Sequence, residues 1–314
     1  MESAATRIAA GEMAANPQAE VELLLTIGMT QSELGQHEIA TATLTAAWDA
    51  AQRLWTGDHP TKAACVNGLG QAKAHLLHSE AAALVAEGLE MRRRLAVGRD
   101  DPLLALSLHN TGALLGVRGS NSDSEALLRE SLDMFRRLHP REHPSVATGM
   151  FTLALTLRKL GAIPEAEALL RESLAIRRVL YKGDHTLVEL SLYHLAALLL
   201  ETSGDEATEA LAMATEGAAM SLRLKGRFGD RTWKSLLLDR HIRRDEHHLA
   251  EPIARALLAE TFERDGSKPS ATVAKAMATL GAVLVPLGRL EEAETNLAAA
   301  LQMRRQLYKK EHTD

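Results

Sequence analysis

The chain has 314 residues, is 46% hydrophobic but only 3% aromatic, and carries a formal net charge of -5. Alanine and leucine must build its core, which suits close helix packing rather than a sandwich or barrel, and the acidic balance argues against generic nucleic-acid binding. Cys65 is the only cysteine, which excludes an intrachain disulfide and a cysteine-rich zinc site, and no apolar run is long enough to span a membrane.

Residues 1–20 lack a charged region followed by an apolar core. They read as a partly helical or frayed lead-in rather than a secretory signal, which places the protein in the cytoplasm. From residue 21 the sequence repeats itself. His59-Pro60, Asp101-Pro102, His143-Pro144 and His185-Thr186 fall 42 residues apart, and Arg231-Thr232 and His312-Thr313 continue the series less regularly. The segment 301–313, LQMRRQLYKKEHT, nearly repeats 174–186, LAIRRVLYKGDHT. A fixed period of this kind marks a stacked array, and the chain reads as about seven copies of one helical hairpin. Five regular repeats are expected over 21–228, an atypical sixth over 229–266 and a seventh over 267–314.

The fourth copy shows the unit best. Its first helix is expected over about 144–160, opened by Pro144, and its second over about 164–181, with Gly161 in the turn between them. So short a connector makes the two helices antiparallel. Small residues recur at three sites in each copy. The first reads Gly28, Gly70, Gly112, Ala154, Ala196 and Gly281; the second Ala40, Ala81, Ser124, Ala166, Ala210 and Ala293; the third Ala47, Gly88, Ser131, Ser173, Gly217 and Ala300. Glycine inside a helix costs about 1 kcal/mol relative to alanine, so its recurrence points to close helix contact. Turn glycines are expected at Gly35, Gly119, Gly161 and Gly288, with Gly204 displaced by a longer loop. The sixth copy lacks its turn glycine, and Pro252 is expected near the start of its second helix, where proline is tolerated.

The stretch 143–185, HPSVATGMFTLALTLRKLGAIPEAEALLRESLAIRRVLYKGDH, resembles a tetratricopeptide repeat, and its 42-residue form is most similar to the repeats of kinesin light chains. The resemblance extends over about 21–314. It implies an all-α, right-handed superhelical solenoid whose concave wall, made of first helices, binds extended peptides. On that wall the resemblance places Asn67, Gln71, His109, Asn110, Phe151, Arg158, Lys159, Tyr193 and His194. Amides there would satisfy a peptide backbone, aromatic rings would cradle side chains, and Arg158 with Lys159 would attract acidic groups.

Arginine doublets recur on the second helices, at 93–94, 136–137, 177–178 and 304–305. With acids such as Glu130 and Glu172 nearby, they are expected to be solvated or paired between repeats. The junction histidines His59, His143, His185 and His312 are expected to cap backbone groups or pack under the next unit. The best metal candidate, His241 with Asp245, Glu246, His247 and His248, is interleaved with Arg240, Arg243 and Arg244, which would repel a cation, so no metal is expected. No phosphate loop, GxSxG elbow, HExxH helix or paired cysteine nucleophile is present, so neither a cofactor nor catalytic residues are expected. The expected role is a non-enzymatic scaffold or adaptor that holds a peptide or protein segment, with no nucleic acid or membrane partner. The alternatives are a ligand-responsive regulator and a structural protein that self-associates through its terminal repeats.

Overall fold

The computed structural model describes residue 8 and residues 15–202, 207–226, 229–266 and 269–311. Among these, the elements are helices arranged as successive hairpins: α1 (Pro17–Glu33) with α2 (His37–Leu54), α3 (Pro60–His75) with α4 (Ala81–Ala96), α5 (Pro102–Val117) with α6 (Asn121–Leu138), and α7 (Pro144–Lys159) with α8 (Ile163–Leu180). They continue as α9 (Thr186–Thr202) with α10 (Thr208–Lys225), α11 (Arg231–Arg243) with α12 (His247–Asp265), and α13 (Ala271–Leu284) with α14 (Leu290–Glu311). The fold is thus an all-α stack of helix hairpins, as the repeat pattern implies. The chain divides within α8 into two compact units, Met1–Ile176 and Arg177–Asp314.

Helix starts follow from local chemistry. Proline opens α1, α3, α5 and α7, where its missing N–H has no partner to lose. The preceding side chain accepts one of the unpaired amides: Asp101 Oδ1 from Leu104 N at 2.8 Å, His59 Nδ1 from Thr61 N at 3.3 Å, and His143 Nδ1 from Ser145 N at 3.2 Å. In the second unit His185 Nδ1 accepts from Leu187 N at 3.1 Å. These histidines also stack on an aromatic ring four residues earlier: Trp55 on His59 at 3.8 Å, His139 on His143 at 3.5 Å and Tyr181 on His185 at 3.9 Å. The capping expectation therefore holds for three of the four junction histidines, while His312 lies outside the described residues.

Helix stops use the left-handed backbone. Gly35, Gly119, Gly161 and Gly288 sit at φ 75°, 90°, 81° and 73°. Two hairpins reach the same conformation without glycine, through Leu77 at φ 59° and Asp245 at φ 58°. Asp245 is how the sixth copy turns. Gly204 lies outside the described residues. Pro252 departs from expectation: α12 begins at His247, so the proline stands inside the helix, beyond its first turn. It offers no amide to the His248 carbonyl, which weakens the helix at that point.

The small residues let the two helices of a hairpin touch. A Cβ on Gly28, Gly70, Gly112 or Gly281 would lie 2.6, 2.8, 2.9 or 2.7 Å from Leu44, Val85, Leu128 or Leu297 respectively, always a branched residue on the partner helix. At Gly28 the facing Leu44 is fully buried, and its burial, worth roughly 1.5–3 kcal/mol, outweighs the cost of a glycine in a helix. At the third small site Ser131 Oγ donates to the Ala105 carbonyl and Ser173 Oγ to the Ala147 carbonyl, both at 2.7 Å. These buried hydroxyls tie second helix to first without an orphaned polar atom.

Candidate functional site

In the first unit, α3 and α5 stand side by side with α4 beneath them. Between them opens a cleft of about 260 Å³ lined by Gln71, Ala74 and His75 of α3, Asn110, Ala113, Leu114 and Val117 of α5, and Val85 of α4. Gln71 and Asn110 are half-buried, so their amides rim an apolar trough. His75 stacks on His37 with ring centres 4.2 Å apart, and burial, then the neighbouring His37, hold it below the ordinary histidine value. It therefore favours the neutral ring at neutral pH. An apolar floor with a few hydrogen-bonding groups at the edge can take an extended chain, side chain down and backbone against the amides.

The remaining residues of the proposed wall are engaged otherwise. Asn67 Nδ2 donates to Ser107 Oγ at 2.8 Å, joining α3 to α5, and its Cγ would lie 2.7 Å from a Cβ on Gly88. His109 is half-buried beside the Phe135 ring, with Nε2 3.5 Å from Thr152 Oγ1, and burial pushes it down to about 4. Phe151 is 7% exposed and belongs to the core around α7. Lys159 Nζ donates to the Gly116 carbonyl at 2.8 Å, closing the end of α5, while Arg158 beside it is half-buried. In the second unit Tyr193 packs edge-on against His194 and against Trp233, each 5.4 Å away. The structure thus brings Gln71 and Asn110 together in one cleft. It sets Asn67, His109 and Lys159 mainly into contacts between helices, and Phe151 behind the surface. Helix register reveals which face a residue occupies, but the depth at which a side chain ends depends on its neighbours, above all the missing side chain of Gly88.

The arginine ridge is matched from repeat to repeat. Arg93 pairs with Glu130 at 2.7 Å and Arg136 with Glu172 at 3.4 Å; in the second unit Arg178 pairs with Glu216 at 2.8 Å. A second row joins each second helix to the junction before its own hairpin, through Arg94–Asp58, Arg137–Asp100 and Arg223–Asp184 at 2.6–2.8 Å. Arg177 turns inward instead, donating to Ser191 Oγ at 2.7 Å and to the Leu187 carbonyl at 3.0 Å. The doublets at 93–94, 136–137 and 177–178 therefore serve pairing between repeats and helix–helix ties. Around the sixth turn, Glu246 accepts from His241 Nδ1 at 2.6 Å and from Arg240 at 2.8 Å, which hold its carboxyl below the usual range.

Two segments, 103–178 and 273–314, match family models described as tetratricopeptide repeat. No curated protein matches the chain. Among solved structures it is similar to the kinesin light chain TPR-like repeats of Podosopora anserina, at 19% identity over 68% of this chain and 99% of that one, TM-score 0.55. The apo quorum sensor NprR from B. thuringiensis matches at 16% identity over 92% of this chain and 77% of that one, TM-score 0.65. The Rap conjugation gene regulator of the plasmid pLS20, solved in complex with the Phr* peptide, matches at 15% identity over 95% and 77%, TM-score 0.53.

Proposed function

The chain is a tetratricopeptide-repeat protein whose repeats resemble those of kinesin light chains, and from that premise we propose that it is a non-enzymatic interaction module that binds an extended peptide or protein segment. The observation that carries this reading is the cleft between α3 and α5, with the amides of Gln71 and Asn110 over Val85, Leu114 and Val117. Such a surface is formed before binding, so little ordering cost opposes association. The peptide-bound Rap regulator supports the ligand class, since it shares the architecture. Arg158 extends the same row of first helices, and in the second unit Tyr193 and His194 form the equivalent wall. A cytoplasmic setting suits this role, and among the described residues no helix is long and apolar enough to cross a membrane.

A photocrosslinking amino acid placed at Gln71 or Asn110, and at Arg94 on the outer row as control, tests the assignment in native lysate. One partner crosslinked from both cleft positions and absent from Arg94, then lost in Gln71→Ala/Asn110→Ala, is the expected result. Equal yields from all three positions would remove the cleft from consideration.

A further inference from the structure

One side of α14 carries a row that alternates steps of four and three residues: Leu290, Glu294, Leu297, Leu301 and Arg304. That spacing keeps all five on one stripe of the helix, the pattern of a helix–helix seam. All five are exposed, the three leucines by 62, 39 and 50% in chain order. Their counterparts in the fourth copy, Leu170, Leu174 and Arg177, are less than a tenth exposed. On one flank of the row Glu291, Ala298 and Arg305 recur every seven residues and are also exposed, whereas Ala293 and Ala300 on the other flank are buried. Charge sets this face apart. Arg255, Arg264 and Arg289 of the same unit are matched to carboxylates. Glu291, Glu294, Arg304 and Arg305 have no side-chain partner among the described residues.

The order of the charges decides the occupant. Acids stand towards the start of the row and bases at its end, with Leu297 and Leu301 between them. The pairs Leu297–Leu301 and Glu294–Arg304 are both centred on Ala299, and Glu291–Arg305 on Ala298. A two-fold axis there turns the row onto itself with every acid opposite a base. We propose that this face binds a second copy of the chain, α14 against α14 and antiparallel, with Leu297 of each copy packed on Leu301 of the other and Glu294 and Glu291 facing Arg304 and Arg305. Each contact is then made twice, as an isologous interface requires. Parallel packing would set Glu294 on Glu294 and Arg304 on Arg304, and like charges so placed disfavour association. From Leu290 to Arg304 the seam runs about 21 Å at 1.5 Å per residue. The helix is already ordered within its hairpin, so little ordering cost opposes docking. An interface of one helix pair is small, and association in the micromolar range is expected. The face shares no residue with the cleft at Gln71 and Asn110 and lies in the other compact unit, so it stands whether or not that cleft holds a segment.

Sedimentation velocity of the full chain, from low to high micromolar concentration, tests it. Wild type is expected to pass from the mass of one copy to that of two, and to associate less at high salt. Glu294→Arg or Arg304→Glu alone sets like charges opposite each other twice, so each should weaken dimerisation about tenfold or more. Both side chains are exposed and unpaired within the chain, so the melting curves of the dilute variants should match wild type. An equimolar mixture of the two variants matches every acid to a base again and should form the two-copy species that neither forms alone. Gln71→Ala/Asn110→Ala should dimerise as wild type does. A one-copy mass at every concentration overturns the proposal. So does a mixture that associates no better than its components, or a mass that climbs past two copies, which would mark head-to-tail stacking.

Discussion

Gly217 makes room for a ring carried by the next hairpin. It faces Trp233, which is fully buried and whose Nε1 donates to Glu189 Oε1 at 2.9 Å, while Lys225 holds the other oxygen at 2.7 Å. A Cβ at Gly217 would lie 2.8 Å from Cε2 of that ring and closer still to Cζ2 and Cη2. Carbon atoms rest at about 3.5–4.0 Å, so Gly217→Ala must push the indole roughly 1 Å or more and pull Nε1 off the carboxylate. Overpacking costs about 1–3 kcal/mol and the lost hydrogen bond to a charged group about 1.5–3, against about 1 regained in helix propensity. The expected net loss is about 1.5–5 kcal/mol. Urea unfolding followed by circular dichroism measures it, and a Trp48→Phe/Trp55→Phe background leaves Trp233 as the only indole, so its emission should shift red as the ring leaves its site. Trp233→Leu removes the obstacle, so in the double variant alanine at 217 should cost at least about 1 kcal/mol less than it does alone. Gly217→Ala at wild-type stability, or strictly additive losses, would refute the claim that the ring and the glycine define each other.

Other consequences are as direct. Gly28→Ala should destabilise by about 1–2 kcal/mol net because Leu44 is fully buried and cannot retreat, whereas Gly281→Ala should be neutral or stabilising because Leu297 is 39% exposed and can swing outward; thermal melts of the two variants compare them. Leu77 holds φ 59° while 85% exposed, so Leu77→Gly relieves backbone strain without losing packing and should raise stability by roughly 0.5–1 kcal/mol in urea titration. His109 is pushed by burial from 6.5 to about 4, so the native state favours the neutral ring; its contribution is complete above 6.5 and is lost as pH falls towards 4. Over that window it is worth at most about 3 kcal/mol, and His109→Gln should flatten the fall in melting temperature; an unchanged slope would exclude His109 as its source. Exposed pairs of the outer row matter less: Arg178→Ala should shift stability by no more than about 0.5 kcal/mol, and by less at high salt.

Several features of the fold were legible because they are local. Pro60 and Pro144 can open helices, Gly35, Gly161 and Gly288 adopt a backbone that other residues resist, and the repeated glycines announce close contact. The pairing of the arginine doublets with Glu130 and Glu172 was readable because the repeat carries both charges at a constant spacing. The candidate sites were less legible. Gln71 and Asn110 do share a cleft, but Asn67, one turn before Gln71, sinks between α3 and α5 because Gly88 makes room for it. Val85, which faces Gly70, is also part of the cleft floor.

The sequence by itself determined the all-α class and the helical hairpin as its unit, since proline, glycine and periodic small residues act through a few bonds on either side. Tertiary structure alone decided which polar groups stay available. Whether a side chain ends in solvent, in a neighbour's carbonyl or under a ring depends on the shape of residues some forty positions away, as with Asn67 and Ser107 or Trp233 and Glu189. Periodicity sets the direction of a side chain, and packing sets its depth.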